Sequence, residues 1–122
     1  MTKAQTLDKN TLAQFTGSEN WYRVGINRKI LFTDGTKYVA DQAGAYWLLD
    51  IIAIAQAHED KVKREEFQVW KLTVREDHTA SLVCEDGNDN IVYTQHIPFT
   101  DFPLEEISFY FENNVIYLPS ER

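Results

Sequence analysis

The chain has 122 residues, 43% of them hydrophobic and 13% aromatic, with 19 acidic against 12 basic side chains and a formal charge of −7. This length fits one domain that buries roughly two-thirds of its unfolded surface without a disulfide or metal staple, and the aromatic content excludes a disordered chain. The acidic balance argues against direct nonspecific nucleic-acid binding, and no apolar run reaches the roughly 18 residues of a membrane span.

The start of the chain, Met1 to Asn10, is polar and lacks the apolar centre of a signal peptide. Cys84 is the only cysteine, so no intrachain disulfide and no cysteine-scaffold zinc site can form. A cytoplasmic location is therefore expected. In the first element, Leu7, Leu12 and Phe15 recur at near-helical spacing. They predict a short helix from Leu7 to Phe15, capped by Thr6 or Asp8 and stopped by Gly17. Trp21 to Val24 reads as an extended piece ended by Gly25. Lys29 to Thr33 and Thr36 to Ala40 flank Asp34-Gly35, and an Asp-Gly pair between apolar runs favours a two-residue hairpin. That hairpin would pair Thr33 with Thr36, Leu31 with Tyr38 and Ile30 with Val39.

Asp41 is placed to cap a helix from Ala43 to about His58. Tyr46, Trp47, Leu48, Leu49, Ile51, Ile52, Ala53, Ile54, Ala55 and Ala57 make it apolar on nearly every side, with Asp50 and Gln56 as interruptions. Such a helix is expected to be enclosed by the rest of the protein. Glu59 to Glu66 reads as a solvated exit. Period-two alternation then takes over. Trp70, Leu72 and Val74 share one face of a strand from Phe67 to Arg75, and Asp77-His78 is a turn. Ala80, Leu82 and Cys84 face one way, Asp86 to Asn90 turns again, and Ile91 to Phe99 is the next strand. After a turn over Thr100 to Glu106, Ile107–Glu112 and Val115–Leu118 form a hairpin about Asn113-Asn114. Its register puts Ile107, Phe109, Phe111, Ile116 and Leu118 on one face, and Tyr110, Glu112, Val115 and Tyr117 on the other. Tight turns between successive strands imply an antiparallel sheet. The expected fold is therefore α+β: one long apolar helix packed on a curved antiparallel sheet, with a short N-terminal helix.

Little in the chain points to catalysis. His58, His78 and His96 lie in no metal-binding spacing, and the five glycines make no phosphate loop or dinucleotide fingerprint. No catalytic residue, metal ligand or cofactor is assigned. Cys84 lies beside Glu85, Asp86 and Asp89, an environment that raises a thiol pKa, so it reads as a buried structural cysteine. Gly44, in the first turn of the long helix, reads either as an anion-binding backbone or as a close approach of two backbones. Asp50 is an acid in the most apolar helix. It is either a buried carboxylate of functional interest or a residue on a narrow exposed stripe. Trp21, Tyr22, Arg23, Arg28 and Lys29 place aromatics beside cations, the residue types enriched at binding hot spots. With Asp50 they are the candidate binding residues.

The charge is unevenly distributed along the chain. Residues 1–40 hold six basic and three acidic side chains, net +3, and residues 41–122 hold six basic and sixteen acidic, net −10. Either folding mixes these segments, or the molecule is bipolar.

Several stretches carry a family likeness together. They are Leu12-Ala13-Gln14-Phe15-Thr16-Gly17, Glu19-Asn20-Trp21-Tyr22-Arg23, Thr33-Asp34-Gly35, the run from Ala43 to Asp50, the run from Glu66 to Leu72, and the run from Phe99 to Glu105. In these the chain resembles a family of small bacterial proteins catalogued as a domain of unknown function. The resemblance covers nearly the whole chain. It implies a bacterial single-domain protein and brings no catalytic residues with it. The functional expectation is a non-catalytic interaction protein with a protein partner, in one version an acidic inhibitor that imitates nucleic acid. The alternative is a small-molecule-binding module with a pocket between helix and sheet. Self-association into a homo-oligomer is a further expectation, and neither direct nucleic-acid nor membrane binding is expected.

Overall fold

Alternating apolar residues in the second half of the chain build strands that cover one face of a sheet with buried side chains. The structure, a computed structural model, describes residues 7–122. Its strands are β1 (Trp21–Val24), β2 (Asn27–Thr33), β3 (Phe67–Val74), β4 (Ala80–Glu85), β5 (Ile91–Ile97), β6 (Glu106–Glu112) and β7 (Val115–Tyr117). They form one seven-stranded sheet in the order β1-β2-β7-β6-β3-β4-β5. Trp70, Leu72, Ala80, Leu82, Cys84, Ile107, Phe109, Phe111, Ile116 and Leu118 are all buried on its covered face. The last hairpin has the expected register, Phe111 opposite Ile116 and Glu112 opposite Val115. Its turn residues Asn113 and Asn114 both hold positive φ, as a two-residue hairpin loop demands.

The architecture differs from the expected one in two respects, although the class is α+β. First, the sheet is mixed. β2 runs parallel to β7, with Leu31 opposite Val115 and Phe32 opposite Ile116, while every other pairing is antiparallel. The parallel pair arises because β2 does not turn back at Asp34-Gly35. The chain instead enters a helix, α2 (Asp34–Ala43). Thr33 is its N-cap, with the Thr36 N–H donating to Thr33 Oγ1 at 3.3 Å. Asp34 sits in the first turn, where a negative charge suits the helix dipole. Thr36, Val39, Ala40 and Ala43 are the buried stripe, a spacing of three and four.

Second, there is no single long helix. Gly44 takes φ +62°, a left-handed C-cap that ends α2, and Ala45 N–H donates to Ala40 O at 2.9 Å. The apolar run then continues as α3 (Tyr46–His58) and a short α4 (Asp60–Lys63). Asp41 therefore lies inside α2 rather than capping the next helix. It pairs with Lys37 at 2.7 Å and accepts a hydrogen bond from the Tyr46 hydroxyl. Leu48, Leu49, Ile52, Ala53 and Ala55 of α3 are buried, but Tyr46, Ile54 and Ala57 are exposed, so enclosure is one-sided. The N-terminal helix, α1 (Lys9–Leu12), is shorter than expected. Asp8 caps it by accepting from Thr11 N–H at 2.9 Å, and the alternative cap Thr6 lies outside the described residues.

A buried polar cluster ties the helices to the sheet. Gln68, fully buried on β3, exchanges amide hydrogen bonds with Gln56 of α3 at 2.7 and 3.0 Å. It also donates to Val62 O at 2.8 Å and accepts from Trp70 Nε1 at 2.9 Å. In a low-dielectric core such a satisfied network fixes one packing arrangement.

Candidate functional site

The two sides of the sheet carry opposite charge, one on its outer hairpin and the other on the turns that flank its outer strand. At one edge, the β1–β2 hairpin (residues 21–33) contains three basic side chains, Arg23, Arg28 and Lys29, and no acidic one. At the other, the segment 76–97 that holds β4, β5 and their flanking turns contains five acidic side chains, Glu76, Asp77, Glu85, Asp86 and Asp89, and no lysine or arginine. Six inter-strand spacings of about 4.8 Å put these edges some 29 Å apart. Part of the charge asymmetry along the chain thus lies across the folded sheet, with Arg23, Arg28 and Lys29 on the far side from Asp86 and Asp89, whereas Lys9 crosses to the acidic part and pairs with Glu106 of β6 at 3.6 Å.

The structure brings four of the six candidate binding residues together. Trp21, Arg23, Arg28 and Lys29 are exposed on the β1–β2 hairpin. Arg23 spans the hairpin, donating from Nη1 to Arg28 O at 2.7 Å. No ion pair to Arg23, Arg28 or Lys29 occurs among the described residues, so their charge is presented to solvent. Tyr22, on the same strand, faces the helices. It lies opposite Phe32, with ring centroids 5.5 Å apart, and its hydroxyl donates to Asp34 Oδ1 at 2.9 Å. Asp34 also accepts from Glu19 N–H at 3.0 Å and Asn20 N–H at 3.3 Å. Partial burial works against the Asp34 charge, but these donors outweigh it and hold the carboxyl below the ordinary aspartate range. Tyr22 thus anchors the hairpin to the start of α2. Asp50 stands apart on α3, half-buried on the stripe with Tyr46, Ile54 and Ala57. No hydrogen bond or ion pair to it occurs among the described residues.

The acidic edge is held by its own turns. Asp86 accepts from the N–H of Asn88 at 2.8 Å and of Asn90 at 3.2 Å, and Asn88 N–H leads the donors that keep its carboxyl ionised below the usual range. Asp77 is held down in the same way by the Thr79 hydroxyl and N–H. Cys84, between them in sequence, is fully buried, and burial, with Glu65, Glu85 and Asp86 adding to it, pushes its thiol up to about 12. It is no nucleophile at neutral pH.

Sequence reasoning missed the apolar residues at these edges. The four most exposed large hydrophobics among the described residues are Phe99 (68%), Ile91 (63%), Ile26 (59%) and Trp21 (55%). Two flank the acidic edge and two the basic edge. The available signal was β5 itself, Ile-Val-Tyr-Thr-Gln-His-Ile, an edge strand with no charged gatekeeper.

A groove of about 500 Å³ opens where β7 ends and leaves the first half of β6 uncovered on that side. Lys9, Leu12 and Ala13 of the α1 region form one wall, Lys71, Thr73 and Ser108 the floor, and Pro119 and Ser120 the far rim. It does not lie between the apolar helix α3 and the sheet. No sequence signal marks it, because its walls come from both ends of the chain. Among the described residues no group of three or more His, Cys, Asp or Glu is placed to hold a metal ion, and no helix is long and apolar enough to cross a membrane.

A family model described as a family of unknown function (DUF6876) matches residues 6–122. No curated protein and no solved structure matches the chain.

Proposed function

The chain belongs to the family of unknown function DUF6876, and from that premise we propose that it is a non-catalytic interaction protein of the bacterial cytoplasm whose acidic sheet edge receives a basic protein partner. The observation that carries this reading is the segregation of charge: segment 76–97 around β4 and β5 holds five acidic side chains and no lysine or arginine, and of the five only Glu85 is ion-paired among the described residues, with Lys71 of β3 at 3.3 Å. Unbalanced charge of one sign steers a partner of the other sign and sets its orientation. In its specific form the acidic edge imitates the phosphate array of nucleic acid and occupies a nucleic-acid-binding partner.

Affinity capture from the native cell tests this, with wild type beside Glu76→Gln, Glu85→Gln, Asp89→Asn as a triple variant. The expected result is a basic partner retained by wild type, lost by the variant, and displaced from wild type by duplex DNA. A partner held equally by both proteins would overturn the acidic edge as the site. A partner that DNA does not displace would remove the mimicry alone.

The groove between α1 and β6 supports a second reading, a small-molecule site, because two lysines, paired with Glu106 and Glu85, and three hydroxyl side chains converge on a partly apolar cleft. A thermal-shift screen with small carboxylates and phosphates is expected to show stabilisation that Ala13→Trp, which fills the groove, abolishes. A shift unchanged in that variant would place the ligand elsewhere.

A further inference from the structure

We propose that the two edges of the sheet are complementary to each other, so that the β5 edge of one copy receives the β1–β2 edge of a second copy, head to tail. The proposal deepens the reading of the acidic edge as an interaction surface and names one partner for it, the chain itself.

Three independent features converge. Both edges are open among the described residues: β1 and β5 each pair with one neighbouring strand there, so each presents unpaired backbone N–H and C=O groups along its outer side. Natural proteins normally protect such edges with lysine, proline or an inward charge. β5 has none of these from Ile91 to Ile97, and its only irregularity is a register shift at its first residues, between the pairs Cys84–Tyr93 and Glu85–Ile91. The charges are opposite, with Arg23, Arg28 and Lys29 on one edge and Asp86 and Asp89, in the turn that leads into β5, on the other. The apolar exposure is concentrated at the same places, Trp21 and Ile26 at the first edge, Ile91 and Phe99 at the second.

A two-fold contact between identical edges would set +3 against +3, or five acids against five, and is opposed by repulsion. A head-to-tail contact sets basic against acidic, and is the arrangement the charges favour. The contact is heterologous, so growth continues until a ring closes or the protein runs out. β1 has only four residues, so each joint is small and the association weak, concentration-dependent and screened by salt beyond about 8 Å at physiological ionic strength.

Two variants with one blocked edge each make the test decisive. Arg28→Glu, Lys29→Glu reverses the basic edge. Ile91→Lys, Thr94→Lys places lysines at two exposed positions of β5. Sedimentation velocity of the full chain at 20 and 500 mM salt is the measurement, with circular dichroism confirming that each variant is folded. Wild type is expected to show a mass average at least doubled at 200 µM in low salt and halved again in high salt. Each variant alone is expected to sediment as a monomer. Mixed at 200 µM in low salt, they are expected to associate although neither does so alone, because the intact β5 edge of one still meets the intact β1–β2 edge of the other. A monomeric wild type at 200 µM in low salt would overturn the proposal, and so would either variant self-associating as wild type does. The purified chain contains no other protein. Failure here therefore leaves the partner reading to be decided by the capture experiment, and failure there leaves this one standing.

Discussion

Glu121 closes the structure from the far end of the chain. Its carboxylate accepts from Gly35 N–H at 3.1 Å, from the Thr33 hydroxyl at 2.7 Å and from Leu118 N–H at 2.8 Å. It thereby occupies the positive N-terminal end of α2, which Thr33 also caps. A Cβ added at Gly35 would fall 2.8 Å from both the Glu121 carboxyl and Leu118 Cδ1, so those side chains would have to shift. Thr33→Ala removes the cap and is expected to cost about 1–2 kcal/mol, read from urea unfolding. Asp34 carries a pH signature. Its folded pKa lies below the unfolded value, so its contribution is complete above the unfolded pKa near 3.8 and is lost as pH falls through the folded one. Asp34→Asn is expected to lower the melting temperature at pH 7 and to narrow that difference toward pH 2. A difference that is the same at pH 7 and pH 2 would contradict the ionised role. At Cys84 the expectation is inertness: a thiol pushed to about 12 and fully buried should resist a disulfide reagent at pH 8 until the protein is unfolded. Labelling of the native protein at the rate of free cysteine would show that the thiol is open to solvent.

At the scale of elements, the strands were largely legible in the sequence and the helix boundaries were not. From Phe67 onward most faces follow from parity, because a strand alternates whatever lies beyond it; the exception is the start of β5, where a register shift between the pairs Cys84–Tyr93 and Glu85–Ile91 leaves Ile91 exposed. Asn113-Asn114 could be read because two asparagines tolerate positive φ locally. Thr33-Asp34-Gly35-Thr36 was read as a hairpin because its local chemistry serves two structures. Asp-Gly suits a tight turn, and Thr followed by Asp suits a helix start. What decides between them is Glu121, 86 residues away, which no local pattern can register. Gly44 is the second case: inside an apolar run it resembles a tolerated helical glycine, whereas it ends α2 at φ +62°. Gly44→Ala is expected to destabilise by about 1 kcal/mol, since a Cβ is strained in that conformation. Gln68→Leu tests the link between helix and sheet. It leaves Trp70 Nε1, Val62 O and the Gln56 amide without this partner and is expected to cost about 2–4 kcal/mol in denaturant unfolding, since each buried group left unsatisfied costs about 1–3 and the half-buried Gln56 can turn to water. A neutral result would mean that water replaces the amide. Of the candidate site, the basic-aromatic cluster was visible because it is contiguous in sequence. The groove and the paired apolar edges were not, because they exist only once β1 and β5 have become outer strands.

At the scale of the whole molecule, the sheet spreads its charge instead of mixing it. The hairpin that carries Arg23, Arg28 and Lys29 lies six strands from the edge that carries Asp86 and Asp89. A molecule of net −7 therefore still offers a positive end. Its behaviour on an ion exchanger is expected to reflect this. If the positive end dilutes a shared field, the Arg28→Glu, Lys29→Glu variant, more negative than the wild-type −7, should elute from an anion exchanger at pH 7 at clearly higher salt than wild type. Elution of the two at nearly the same salt is the outcome expected when the edges are separate and the acidic one alone makes contact.

The three-residue strand β7 has a consequence for how the protein is made. It is the only strand that joins β1–β2 to the other four, through two residue pairs on one side and three on the other. Because synthesis runs from the N-terminus, the hairpin and its first helix leave the ribosome long before this joint exists. Thr33 and Val115 are 82 residues apart, which is roughly 4–16 s of translation at 5–20 residues per second. For that interval the nascent chain holds a strand edge on β2 that β7 later covers. Shortening the chain before Val115 should therefore yield not a smaller folded protein but an aggregation-prone one, whose exposed surface is a natural substrate for chaperones.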